Sequence, residues 1–199
     1  AFGRGAFRAK AGGMDGVELH AHERFFHAQF LSPVHNQRKD AYGGSLDNRS
    51  RLVIETLTAM REETGNDFVV GIRLKARDFH PEGMVEEDYI QLIQSLTETR
   101  LIDYVSLTAG TDHVHHGPMY LPDGELLPIV ARIRREIDVP VIHAGRITNA
   151  RLAEQALAMG QVDLVGMTKT HIADPHFVRK LSEGRTDDIR HCIRCLECS

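Results

Sequence analysis

The sequence predicts an α/β fold, specifically a TIM-type β/α barrel of which these 199 residues supply only the C-terminal part. Three observations carry that reading. Short apolar, β-branched runs alternate with helical stripes, the pattern of a parallel sheet buried by crossover helices. The chemically unusual residues (His20, Arg73, Gly145-Arg146, Thr168-Lys169) all fall where such runs end, and chemistry in a β/α barrel sits at the C-terminal strand ends. No Gly-rich dinucleotide fingerprint follows the first strand, which weakens the competing doubly wound open sheet.

The chain opens in a predicted helix, Phe2 to Ala11, stopped by Gly12-Gly13. Strands are then predicted over 16–20, 68–74, 103–107, 140–143 and 163–167. Between them, apolar residues recur at helical spacing: Leu52, Val53, Leu57 and Met60; Tyr89, Leu92, Ile93 and Leu96; Ile129, Val130, Ile133 and Ile137; Leu152, Ala153, Ala156 and Leu157. Gly65 and Gly160 sit where a helix end favours a left-handed residue. Five units cannot close an eight-stranded barrel, so three further strands are expected upstream. The chain lacks an initiating Met and stops one residue after Cys198, so a piece of a longer protein is expected. Residues 1–190 read as the partial barrel and 191–199 as the start of a metal-binding segment.

Composition excludes several classes. The net charge is −4 and no long basic run exists, which argues against a nucleic-acid partner. No stretch approaches the roughly 18 apolar residues of a membrane span. No leader peptide is visible, and a cytoplasmic location is expected. All three cysteines lie in the last eight residues, unlike the spread pairs of a disulfide-stapled domain.

Cys192-Ile-Arg-Cys195-Leu-Glu-Cys198 is the most specific motif. Thiolates at this spacing can hold three corners of an iron–sulfur cluster, with a fourth ligand outside these residues. A zinc site or a redox thiol pair shares the spacing. Asp40-Ala-Tyr-Gly-Gly-Ser-Leu-Asp-Asn48-Arg49 reads as structural: a tight turn, then Ser45 or Asp47 capping a helix. Arg146 and Lys169, after the last two strands, suggest a phosphate site built from backbone N–H groups and cations, although a single Gly-Arg could simply be a solvated surface residue. Arg73 ends a buried strand, where a charge needs a partner: a structural ion pair or a cofactor. His20, His22 and His27, with His113, His115 and His116 on the loop after the third strand, could bind metal. Their scatter favours lining a substrate pocket.

Together Gly16-Val-Glu-Leu-His20, Gln29-Phe-Leu-Ser-Pro33, Tyr42-Gly-Gly-Ser45 with Asn48-Arg49, Ala144-Gly-Arg-Ile147, Ile172-Ala-Asp-Pro175 and Asp188-Ile-Arg-x-Cys-Ile-x-Cys195 resemble the old yellow enzyme (NADH:flavin oxidoreductase) family. They resemble above all its iron–sulfur branch, which includes 2,4-dienoyl-CoA reductase and trimethylamine dehydrogenase. The resemblance covers essentially the whole chain. It implies an FMN-binding barrel whose visible strands are the fourth to the eighth. Arg73 would meet the flavin pyrimidine edge; Gly145, Arg146, Thr168 and Lys169 would hold the phosphate; Cys192, Cys195 and Cys198 would ligate a 4Fe–4S cluster. NAD(P)H or a second flavin would bind in a downstream region. Lys169 stands where the family usually has Arg, keeping the charge without the fork.

The pocket departs from the family's commonest pattern. His20 matches the first substrate-binding position, but Glu23 stands at the second, where His or Asn is usual. An ionised acid there opposes a developing enolate. Phe25 replaces the often proton-donating Tyr. A carboxylate beside a flavin suits a cationic amine instead, and His113, His115 or His116 could act as a base. The expected function is FMN-dependent oxidation or demethylation of a methylated amine or betaine, with electrons passed to the cluster. The alternatives are an NAD(P)H-dependent enoate or dienoyl-CoA reductase, and an inactive barrel remnant serving as a binding module. A small-molecule substrate, an electron-transfer partner and a homo-oligomer are expected, and these 199 residues alone are expected to be inactive.

Overall fold

A computed structural model describes residues 1–108, 121–195 and 198. Among them are five strands, β1 (Gly16–His20), β2 (Val69–Lys75), β3 (Tyr104–Thr108), β4 (Val141–Ala144) and β5 (Leu164–Val165). They pair in chain order, every neighbour parallel, which makes one curved half of a barrel wall. The predicted strands are all present. The last is shorter than 163–167, because the ladder ends at Val165 and the chain turns at once into a helix.

The connecting helices are α1 (Phe2–Ala11), α2 (Phe26–Leu31), α3 (Leu46–Thr64), α4 (Glu86–Glu98), α5 (Leu127–Arg135), α6 (Ala150–Ala158), α7 (Thr168–Ala173) and α8 (Phe177–Ser182). Each apolar stripe of the sequence faces the sheet: Val53, Leu57, Tyr89, Leu92, Ile93, Leu96, Val130, Ile133 and Ala156 are buried. The opposing sheet face supplies Leu19, Val70, Ile72, Leu74, Val105, Leu107 and Val141, also buried. This helix–sheet layer is the core, and each fully buried aliphatic chain in it contributes roughly 1.5–3 kcal/mol.

The Tyr42–Arg49 motif proves architectural. Ser45 caps α3, its Oγ accepting from the Asn48 N–H, a bond of about 1 kcal/mol. Asn48 Nδ2 donates to the Gly43 carbonyl at 3.0 Å, and Arg49 Nε to the Leu31 carbonyl at 2.7 Å. A Cβ on Gly43 would collide with the Arg38 backbone, and Gly44 has φ +85°, so neither glycine is replaceable without strain. Gly65 and Gly160 also take positive φ, as their helix-end positions predict.

An acid–base device recurs at the N-terminal ends of the strands. Asp103, just before β3, accepts from the Val70 N–H of β2 at 2.7 Å and from Arg61 of α3 at 2.8 Å. Asp163, just before β5, accepts from the Val141 N–H of β4 at 2.8 Å and from Arg134 of α5 at 2.6 Å. Each carboxylate satisfies a strand donor and pins a helix, which sets register between successive units. No helix among the described residues is long and apolar enough to cross a membrane.

The other face of the sheet carries Glu18, His20, Gly71, Arg73, Tyr104, Ser106 and Thr108, which the pairing register sets side by side. Tyr104 lies over Gly71, where a Cβ would collide with its ring. Burial and a bond to Glu18 push the Tyr104 phenol up to about 12. Farther along this face, at the C-terminal strand ends, is a cavity.

Candidate functional site

The cavity holds about 330 Å³, at the lower end of the ligand-pocket range. It opens at the C-terminal strand ends, where the barrel reading places chemistry. Glu23, Arg73, Thr108, Gly145, Arg146, Gly166, Thr168, Lys169, Cys192 and Cys198 line it. The structure thus gathers at one cavity most of the residues singled out in the sequence. His113, His115 and His116 lie outside the described residues.

Arg73 projects from β2 with its Nε buried and, among the described residues, without a hydrogen-bond partner. The sequence left a structural ion pair open for it. No ion pair involving Arg73 occurs among the described residues. An unpartnered buried guanidinium N–H costs roughly 1–3 kcal/mol, so the geometry favours a polar ligand over a packing role.

At the end of β1 the chain turns sharply. His20 is exposed and stacks on His22, centroids 5.8 Å apart, and on Phe25 at 4.3 Å. Burial and the neighbouring Arg73 charge lower its pKa, which favours the neutral ring. The ring that lines the cavity is His22, 4 % exposed, rather than His20. Glu23 follows with φ +52°, a region costly for a residue with a Cβ. Its Oε1 lies 3.6 Å from His22 Nδ1. The carboxylate therefore points into the cavity from a strained turn, a combination frequent at ligand sites. His27 packs away from the cavity, its Nε2 3.0 Å from Thr56 Oγ1, and serves structure.

The ends of β4 and β5 form the opposite wall. Gly145 and Gly166 permit close approach: a Cβ at Gly145 would lie 2.6 Å from the His143 ring, and one at Gly166 2.7 Å from Ala144 Cβ. His143 is fully buried, and its Nδ1 lies 2.8 Å from the Leu107 carbonyl oxygen. A carbonyl only accepts, so Nδ1 carries the proton, and burial keeps the ring neutral. Two details differ from the sequence expectation. Thr168 and Lys169 are not on a loop but form the first turn of α7. Arg146, at φ +52°, turns its guanidinium to the carbonyls of Leu121 and Pro122, so part of its fork braces a neighbouring turn. Neither fact is legible in a Gly-Arg dipeptide.

The cysteine segment runs along the same cavity, with Cys192 and Cys198 on its lining and all three thiols free. Among the described residues no group of three or more His, Cys, Asp or Glu side chains is gathered as a bound metal requires. The segment is tethered at its start by Asp174, 1 % exposed, which accepts from the Arg190 N–H at 3.0 Å and from Lys180 Nζ at 2.6 Å. These bonds hold the Asp174 carboxyl well below the usual range. This is the physical content of the Ile172-Ala-Asp-Pro175 motif. Sequence reasoning missed Glu125, another cavity carboxyl, whose pKa burial raises, and the Asp123–Arg194 pair. A lone acid in a turn gives no signal in the sequence.

Comparisons with known proteins give the family of the chain. The model of the NADH:flavin oxidoreductase / NADH oxidase family matches residues 1–188. The N,N-dimethylglycine/sarcosine dehydrogenase of Chromohalobacter salexigens is 39% identical over 99% of this chain, which spans 29% of that relative's length. Among solved structures, a complex of 2-naphthoyl-CoA reductase with 2-naphthoyl-CoA superposes with TM-score 0.91 at 34% identity, covering 98% of this chain and 30% of that one. Histamine dehydrogenase from Rhizobium sp. 4-9 superposes with TM-score 0.86 at 32% identity, covering 98% and 28%. The five parallel strands are therefore part of a TIM barrel, and the chain belongs to the NADH:flavin oxidoreductase / NADH oxidase family.

Proposed function

We propose that the protein is an FMN-dependent oxidoreductase acting on a methylated amine or betaine. The observation that carries this reading is the Glu23 carboxylate, held at positive φ at the end of β1 and lining the same cavity as Arg73. Similarity to a dimethylglycine/sarcosine dehydrogenase and to a histamine dehydrogenase supports an amine substrate.

The residues present fit FMN. The Arg73 Nε, without a partner among the described residues, offers a donor and a charge to an anionic ring edge, and Gly145 and Gly166 put side-chain-free backbone on the cavity lining. Arg146, Thr168 and Lys169 share that lining as phosphate partners. Bound FMN supplies a two-electron acceptor, whose charge when reduced a nearby cation stabilises. Glu23 binds and orients the substrate cation. Its attraction, discounted for the open mouth of the cavity, amounts to a charged hydrogen bond of about 1.5–3 kcal/mol. His20 lies outside the cavity lining, so removal of a proton from a substrate ammonium is not assigned to it. Any base among His113, His115 and His116 would act from the loop after β3.

Cys192, Cys195 and Cys198 fit three corners of a 4Fe–4S cluster by donor chemistry and spacing, and two of them border the cavity. Such a cluster passes single electrons, so a separate electron-transfer partner belongs to this reading. Residues 1–190 then form the barrel part and 191–199 the start of the cluster segment. The runner-up, a reductase of an alkene conjugated to a carbonyl or thioester, draws on the similarity to 2-naphthoyl-CoA reductase.

The reading is tested by product analysis of the complete gene product. Oxidation of an N-methyl group followed by hydrolysis releases one formaldehyde per demethylation when an artificial electron acceptor is present. Stoichiometric formaldehyde from dimethylglycine-type amines is expected. Its absence, together with turnover of a conjugated enone by NAD(P)H, would select the reductase.

A further inference from the structure

Arg194 sits between two of the predicted cluster ligands in the left-handed region, φ +62°, where glycine is favoured over any residue with a Cβ. Its guanidinium donates to Asp123 Oδ2 at 2.6 Å, a partner 71 residues earlier. The receiving carboxylate is itself fixed. Asp123 Oδ2 accepts from Thr148 Oγ1 at 2.7 Å. The Gly124 N–H donates to the Arg146 carbonyl at 3.1 Å, and the Arg146 guanidinium takes the carbonyls of Leu121 and Pro122. The 121–124 turn is therefore clamped to the end of β4, and the Asp123 Oδ2 that takes part in that clamp also receives the cysteine segment through Arg194. Upstream, Asp174 holds that segment at the Arg190 N–H. Among the described residues, the next tie along the chain is Arg194.

We propose that Asp123 and Arg194 form a strap that pins the Cys192–Cys195 turn to the β4 wall of the cavity, which makes Asp123 a positioning residue for the iron–sulfur cluster. The role toward a cluster rests on the cluster reading above; the strap itself does not. Because Arg146 braces the same turn, the wall assigned to the phosphate and the cysteine turn move as one body. Groups that orient metal ligands from outside the coordination sphere usually change metal retention by about 10–100-fold when removed.

The test compares Arg194→Gly, Asp123→Asn, the double variant and Arg194→Lys in the complete gene product. Arg194→Gly relieves the backbone, and Asp123→Asn keeps an acceptor for Thr148, so both are expected to fold. Hydrogen exchange of the backbone over residues 189–198 reads local opening whether or not metal is bound. Iron content, and its release to a chelator, are measured on the same samples. Both single variants are expected to speed exchange about tenfold and to release iron about 10–100-fold faster. The double variant is expected to go no faster than either, and Arg194→Lys to stay near wild type. Exchange within about twofold of wild type in both singles, or effects that multiply in the double, would overturn the strap. A wild-type protein without iron would instead refute the cluster reading, and the exchange rates would still decide the strap.

Discussion

Arg73→Leu is expected to lower turnover by roughly 100–1000-fold, the usual loss when a preorganised donor to developing charge is removed. It should also lower the flavin's reduction potential, because the reduced form would lose a stabilising cation. The flavin-free protein should be as stable as wild type or slightly more so. The reason is the buried Nε of Arg73, which has no partner among the described residues: deleting it removes a desolvated donor without breaking an observed bond. Thermal unfolding of flavin-free protein and a potentiometric titration of the loaded protein separate these effects. Loss of several degrees in the flavin-free form, with an unchanged potential, would show that Arg73 serves the fold. Arg73→Lys should recover only part of the activity, since an ammonium keeps the charge without the planar fork.

Glu23→Gln is expected to raise KM for a cationic methylated amine by about 10–100-fold, the equivalent of one charged hydrogen bond. It should leave KM for a neutral isostere nearly unchanged. The substitution preserves shape and the unusual backbone of the turn, so the charge alone is removed. Steady-state kinetics on the matched pair of substrates measure it. Equal effects on both substrates would mean that Glu23 shapes the turn, through its positive φ and its approach to His22, rather than recognising charge.

The strands and long helices were legible because their residues repeat a rule. Val70, Ile72 and Leu74 alternate on one face, and Val53, Leu57 and Met60 recur at helical spacing. The short helices α2, α7 and α8 have six residues each, too few to display a stripe. Thr168 and Lys169 therefore read as a loop, although both line the cavity from the first turn of α7. The same limit applies at β1. Alternation predicts side-chain direction only while the strand lasts, and β1 ends at His20. The next turn carries His22 into the cavity and leaves His20 outside its lining. Arg146 shows a further limit: its residue type announces a cation at a strand end, but φ +52° decides that the fork meets carbonyls of a neighbouring turn. Asp123 was invisible for a related reason, since its partner is remote in sequence and its own turn carries no motif. The cysteines stand out by spacing alone, which proposes a donor set but not its assembly.

The central claim is that electrons enter this protein from an amine at the Glu23–Arg73 cavity. The most direct measurement is the anaerobic visible spectrum of the complete gene product, titrated first with a dimethylglycine-type amine and separately with NADH. The account predicts that the amine bleaches a flavin band near about 450 nm, as flavin reduction does. Bleaching by NADH alone, reversed by an enone, would contradict it and make the protein a reductase.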